Sequence, residues 1–129
     1  AAAPLQEAAT VGLKFGESYY RELLEKYTEK RAYFLQGLDR IGLKHNVPQG
    51  TYFVLVDIQE FLDLPQFAGY TDLQFCEWMI EHIGVAAVPG SSFFKEPVNN
   101  LIRLHFAKDE KTLEKALGYL SKLADLTKK

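Results

Sequence analysis

Leu101-Ile102-Arg103-Leu104-His105-Phe106-Ala107 reads as a β-strand with a guanidinium set among apolar neighbours. Side chains alternate across a strand, so Arg103 and His105 share a face with Leu101 and Ala107. Ile102, Leu104 and Phe106 point the other way. An arginine cannot shed its charge and is almost never fully buried without a partner. Its planar fork of donors matches a carboxylate two-to-two. The strand alone leaves three readings open: an exposed sheet face, a structural ion pair, or a grip on a small carboxylate. The segment just upstream, Pro89-Gly90-Ser91-Ser92-Phe93-Phe94, favours the third, because it brings small residues and aromatics towards the adjoining strand.

Working outward, Val85-Ala86-Ala87-Val88 reads as a short buried strand closed by Pro89-Gly90, and 91–100 as an irregular loop. Before it, Thr71 and Gln74 match a capping box. The helix they open has Phe75, Trp78, Met79, His82 and Ile83 on one face and ends at Gly84. After the Arg103 strand, Asp109 caps a last helix with Leu113, Ala116, Leu117 and Leu120 on its apolar side.

Thr51 to Ile58 is almost continuously apolar and rich in β-branched and aromatic residues, which predicts a strand covered on both faces. Leu43 to Val47 is a shorter strand candidate, Pro48-Gln49-Gly50 a turn, and 63–70 a loop. A long helix precedes them: Tyr20, Leu23, Leu24, Tyr27, Phe34, Leu35, Leu38 and Ile41 recur at helical steps, with Gly42 as C-cap. Its other face, Glu22 to Lys30, is solvated. Pro4 starts a first helix running to about Phe15, with Leu5, Ala8, Ala9 and Leu13 as its apolar side. The order α-α-β-β-α-β-β-α predicts an α+β fold, a small, mainly antiparallel sheet covered by helices.

Length and composition fit that reading. At 129 residues the chain suits one domain, and an apolar share of 47% supplies its core. A net charge of −2 with no basic block leaves no footprint for nucleic acid or anionic lipid. No apolar run approaches a membrane span. Cys76 is the single cysteine, so a reducing compartment is expected.

Few residues offer catalysis. His45, His82 and His105 lack metal-ligand spacing, and Cys76, beside Trp78 and Met79, reads as packing. Phosphate-binding glycine loops and the G-x-S-x-G elbow are absent. Asp57 reads as a turn-former. The sequence offers a binding residue without a catalyst.

Three stretches in order, Pro48-Gln49-Gly50-Thr51-Tyr52-Phe53 with Val54 to Asp57, Phe75 to Phe94, and Ile102 to Asp109, resemble the C-terminal part of fold-type-I pyridoxal-phosphate aminotransferases of the class I/II group. Within that group the likeness is greatest to kynurenine aminotransferases (glutamine transaminase K, cysteine-S-conjugate β-lyases) and to methionine aminotransferases. Pro4 to Ala9 is similar to the segment after the family's cofactor lysine, and the Tyr27-Lys30-Arg31 region to its long interdomain helix.

The resemblance implies that Arg103, in an R-x-x-F-A strand, clamps the substrate α-carboxylate. It places Phe93 at the side-chain pocket, and Gly50 and Tyr52 at a turn facing the cleft. It implies pyridoxal 5′-phosphate as the parent enzyme's cofactor, amino acids and 2-oxo acids as substrates, and a homodimeric parent. The Schiff-base lysine, the aspartate on the pyridine nitrogen, the stacking aromatic and most phosphate contacts precede the matched part. The chain is accordingly expected to be a truncated piece, with helices in 1–42 linking from an absent large domain and 43–129 forming the small domain. Alone it is expected to be inactive and to hold no cofactor. A cytoplasmic parent is expected, with a mitochondrial one open. The implied reaction is transamination of hydrophobic, aromatic or sulfur-containing amino acids, with β-elimination on cysteine conjugates as a variant. The alternative is a non-catalytic ligand-binding or interaction module of the same fold.

Overall fold

The strand that carries Arg103 sits in the middle of a small sheet. The computed structural model describes residues 1–128. In it β1 (Phe53–Asp57), β2 (Val88–Pro89) and β3 (Leu101–His105) form an antiparallel sheet in the order β1-β3-β2. Leu55 pairs with Arg103 from one side and Val88 from the other. Around the sheet run α1 (Ala3–Gly12), α2 (Glu17–Ile41), α3 (Gln59–Leu62), α4 (Asp72–His82) and α5 (Glu110–Ala124). The fold is α+β, as the element order predicts.

Local chemistry fixes the helix ends. Thr71 and Gln74 complete the reciprocal capping box of α4. The Asp109 side chain accepts the Thr112 N–H at the start of α5, and hydrogen bonding from the Thr112 side chain and then its backbone lowers the carboxyl from its ordinary value. Gly42 ends α2 in the left-handed region at φ 84°, where a Cβ is disfavoured.

Alternation along the strands gives the sheet two unlike faces. Val54, Val56, Ile102, Leu104 and Phe106 are buried in one cluster with Phe34 and Leu38 of α2, Phe75 and Met79 of α4, and Leu120 and Leu123 of α5. Each such side chain contributes about 1.5–3 kcal/mol by leaving water. The opposite face, with Phe53, Leu55, Leu101 and Arg103, is half-buried. The expectation that the β1 segment is covered on both faces is therefore corrected, because the helices pack behind only one of them.

Other boundaries differ from the sequence reading for physical reasons. β1 starts at Phe53, since Thr51 takes a left-handed φ of 60° that breaks the strand. Leu43 to Val47 forms no strand. Only His45 bridges to Val56, and the Asn46 side chain takes the Leu55 N–H that a ladder would use. The predicted strand at Val85–Val88 shrinks to β2, with Val88 exposed and Pro89 offering no N–H to prolong it. Within 63–70, Pro65–Phe67 makes a turn of 3₁₀ helix that buries Phe67. α1 ends at Gly12, before Phe15, and buries none of its apolar side. In α2 only the C-terminal half, Phe34 to Leu38, enters the core, while Tyr20, Leu23 and Leu24 stay exposed.

Candidate functional site

The open face of the sheet centres on Arg103. Strand pairing on both sides fixes its backbone, and its side chain rises between two aromatic rings. Its Cζ lies over the Phe53 ring at 4.0 Å and over the Phe93 ring at 4.1 Å from the centroids. Contacts of this kind hold a guanidinium by the ring quadrupole. Rings use its faces and leave its N–H edges for an acceptor. Among the described residues Arg103 has no carboxylate partner, so the structural ion pair raised by the sequence is absent there. What remains is a positioned donor fork suited to a planar anion.

The two rings arrive by different routes. Phe53 opens β1 opposite His105 and lies diagonally across from Arg103 on the same face. Phe93 comes from a 3₁₀ turn, Gly90–Phe93, that follows β2. That turn is fixed at two points. Gly90 packs so closely on β3 that a Cβ there would lie 2.5 Å from the Leu101 carbonyl oxygen. Ser91 is tied to Asp72, a buried carboxylate in the first turn of α4. Asp72 Oδ2 accepts the Ser91 N–H at 2.8 Å, and Oδ1 accepts the Ser91 hydroxyl at 3.0 Å.

Of the sequence-derived candidates, the structure brings Arg103 and Phe93 into contact and sets Gly50 and Tyr52 to one side. Tyr52 and Gly50 line a groove of about 660 Å³ between the 48–52 turn and the N-terminal half of α2, with Tyr20, Leu23, Leu24 and Tyr27 on its far wall. Arg31 closes its end by donating to the Pro48 carbonyl at 2.7 Å. Tyr52 meets the Arg103 cluster through Phe53, whose ring centroid is 4.5 Å from its own. A Cβ on Gly50 would meet nothing within 4 Å, so this chain's own packing does not require glycine there.

Phe53 and Asp72 are the site residues that sequence patterns do not single out. Alternation puts Phe53 on the Arg103 face only once the register is known. Asp72 follows an N-cap, where a carboxylate ordinarily just complements the helix dipole.

The remaining reactive groups are occupied elsewhere. His45 sits between Asp39 Oδ1 and the Asn46 carbonyl oxygen, each at 2.7 Å. His82 stacks on Trp78, and His105 lies exposed, edge-on to Tyr52. Burial pushes the Cys76 thiol up to about 11, with Asp72 and Glu77 adding to the effect, so it is not a nucleophile. Asp57 holds the turn after β1, accepting from the Gln59 N–H and the Asn100 side chain.

The fold is thus an α+β module whose half-open antiparallel sheet presents a ring-flanked guanidinium with no carboxylate partner among the described residues. The model of one family, aminotransferase class I and II, matches residues 1–120, and the chain belongs to that family. It is 35% identical over 111 residues to kynurenine–oxoglutarate transaminase 1 of Mus musculus, a match covering 78% of this chain and 26% of that protein. Methionine aminotransferase of Escherichia coli (strain K12) is 36% identical over 121 residues, covering 93% and 30%. The solved structure of N-succinyldiaminopimelate aminotransferase from Mycobacterium tuberculosis matches with a TM-score of 0.75 at 33% identity, over 95% of this chain and 31% of that one. The chain spans less than a third of the length of these relatives.

Pyridoxal phosphate, the cofactor implied by the family, is carried on a desolvated lysine amine. The described lysines do not fit that task. All are exposed except Lys30, which is half-buried and donates to the Lys108 carbonyl.

Proposed function

We propose that this chain is the substrate-carboxylate half of a pyridoxal-phosphate aminotransferase, with residues 43–129 as its small domain and 1–42 as helices linking to a large domain. The large domain, in a homodimeric parent, would carry the cofactor, which supplies the electron sink for the reaction. Arg103 would receive the α-carboxylate of the amino acid and of the 2-oxo acid in turn, holding the α-carbon in one place for both halves of the transfer. Phe93 would meet the outer part of the substrate, and Gly50 and Tyr52 the mouth of the cleft. Hydrophobic, aromatic or sulfur-containing amino acids are the proposed donors. This accords with the aromatic lining of Phe53, Phe93 and Tyr52 and with the names of the kynurenine and methionine relatives.

One observation carries the reading: a guanidinium without a carboxylate partner among the described residues, held between two rings on the open face of the sheet. Its test is Arg103→Ala in the full-length enzyme. A charged, two-pronged hydrogen bond is worth about 3 kcal/mol, so kcat/KM for an amino acid should fall by roughly 100-fold, mainly through KM. A substrate amine lacking the carboxylate should lose little by the same change. An unaltered kcat/KM for the amino acid overturns the assignment.

A further inference from the structure

Asp72 is the buried charged side chain of the core, yet it pairs with no cation among the described residues. Its two oxygens are spent on Ser91, through the backbone N–H and the hydroxyl, and on the N–H of Leu73. Placing a carboxylate out of water is costly unless it is hydrogen-bonded, and here most of that bonding is directed at one residue of the site's turn. Two residues further on is Phe93, whose ring covers the Arg103 guanidinium. The turn has little else to hold it. Ser91, Ser92, Phe93 and Phe94 are all exposed, and only Gly90 is buried, against Leu101.

We propose that Asp72 is a positioning residue for the Arg103 site, holding Ser91 so that Phe93 keeps the guanidinium edge turned to receive a carboxylate. This rests on Arg103 being the carboxylate grip. Asp72 touches neither Arg103 nor a substrate; its effect passes through the turn. Loss of its charge would leave α4 and the core in place and let the ring drift, so that the guanidinium would sample several directions before an anion bound. Preorganisation of a binding group of this kind is read in KM more than in kcat.

The experiment is a double-mutant cycle in the full-length enzyme, with Asp72→Asn and Phe93→Leu singly and together. Asp72→Asn should raise KM for the amino acid about three- to tenfold and move kcat by less than about twofold. Phe93→Leu should do the same, and the double variant should be no worse than Phe93→Leu alone, since one acts through the other. Ser91→Ala, which removes one hydrogen bond and keeps the buried carboxylate, should give a smaller shift of the same kind. It stands in if Asp72→Asn does not fold. An unchanged KM in these variants, or effects that simply add in the cycle, overturns the role of Asp72. If Arg103→Ala still cripples amino-acid use, the carboxylate reading survives that failure. If Arg103→Ala has no effect, both fall.

Discussion

Arg103 shows how much a single side chain discloses before any fold is known. A guanidinium in an apolar strand demands an explanation, and the small-and-aromatic segment at 89–94 narrows it. Both were legible because they depend on residue type and short spacing. Phe53 was not, since its place beside Arg103 follows from the pairing of β1 with β3, a long-range fact that alternation within either strand cannot supply. Asp72 was hidden for the opposite reason: its position after Thr71 has an ordinary local explanation that masks the distant one. Cys76, by contrast, reads the same way in both. Its thiol is raised from near 9 to about 11, so the fold holds a proton that the unfolded chain would release. That contribution to stability is whole below about pH 9 and is lost as pH rises through about 11. Denaturation midpoints measured across this range should fall more steeply for the wild type than for Cys76→Ala, and parallel curves would contradict the shift.

Among the elements, α4 was the most completely readable, because its start and stop are written in local chemistry: Thr71 and Gln74 at one end, Gly84 at φ 84° at the other. Thr71→Ala should cost about 1 kcal/mol in chemical denaturation, the usual worth of an N-cap. A loss below the error of the measurement would mean that tertiary packing alone holds the helix end. The strands were less legible. β2 is two residues long, and the 43–47 segment gives up its ladder to an Asn46 side chain. Propensity cannot foresee a side chain displacing a backbone partner.

For the molecule as a whole, the class of fold was legible in the order of elements, and the unpacked regions were not. Leu5, Val11 and Leu13 of the first helical region and Tyr20, Leu23 and Leu24 of α2 keep their apolar pattern yet stay exposed. A periodic stripe announces that a face is meant for burial but does not say by what. The reading of the chain as part of an enzyme makes a prediction at this scale. Titrated calorimetrically with phenylalanine or methionine, the 129-residue chain alone should bind with a Kd weaker than about 1 mM, since Arg103 by itself offers one point of attachment. Micromolar binding would favour a self-sufficient sensing module instead.

The central strand gives the site an uneven capacity for change. The Arg103 backbone is paired with strands on both sides, whereas Phe93 and Tyr52 lie outside the strands, their side chains exposed on the segments that flank β2 and β1. Substitutions at the rim can therefore accumulate without disturbing the anchor, and under the proposed function a lineage built on this scaffold could explore new side-chain preferences while keeping one grip on the carboxylate.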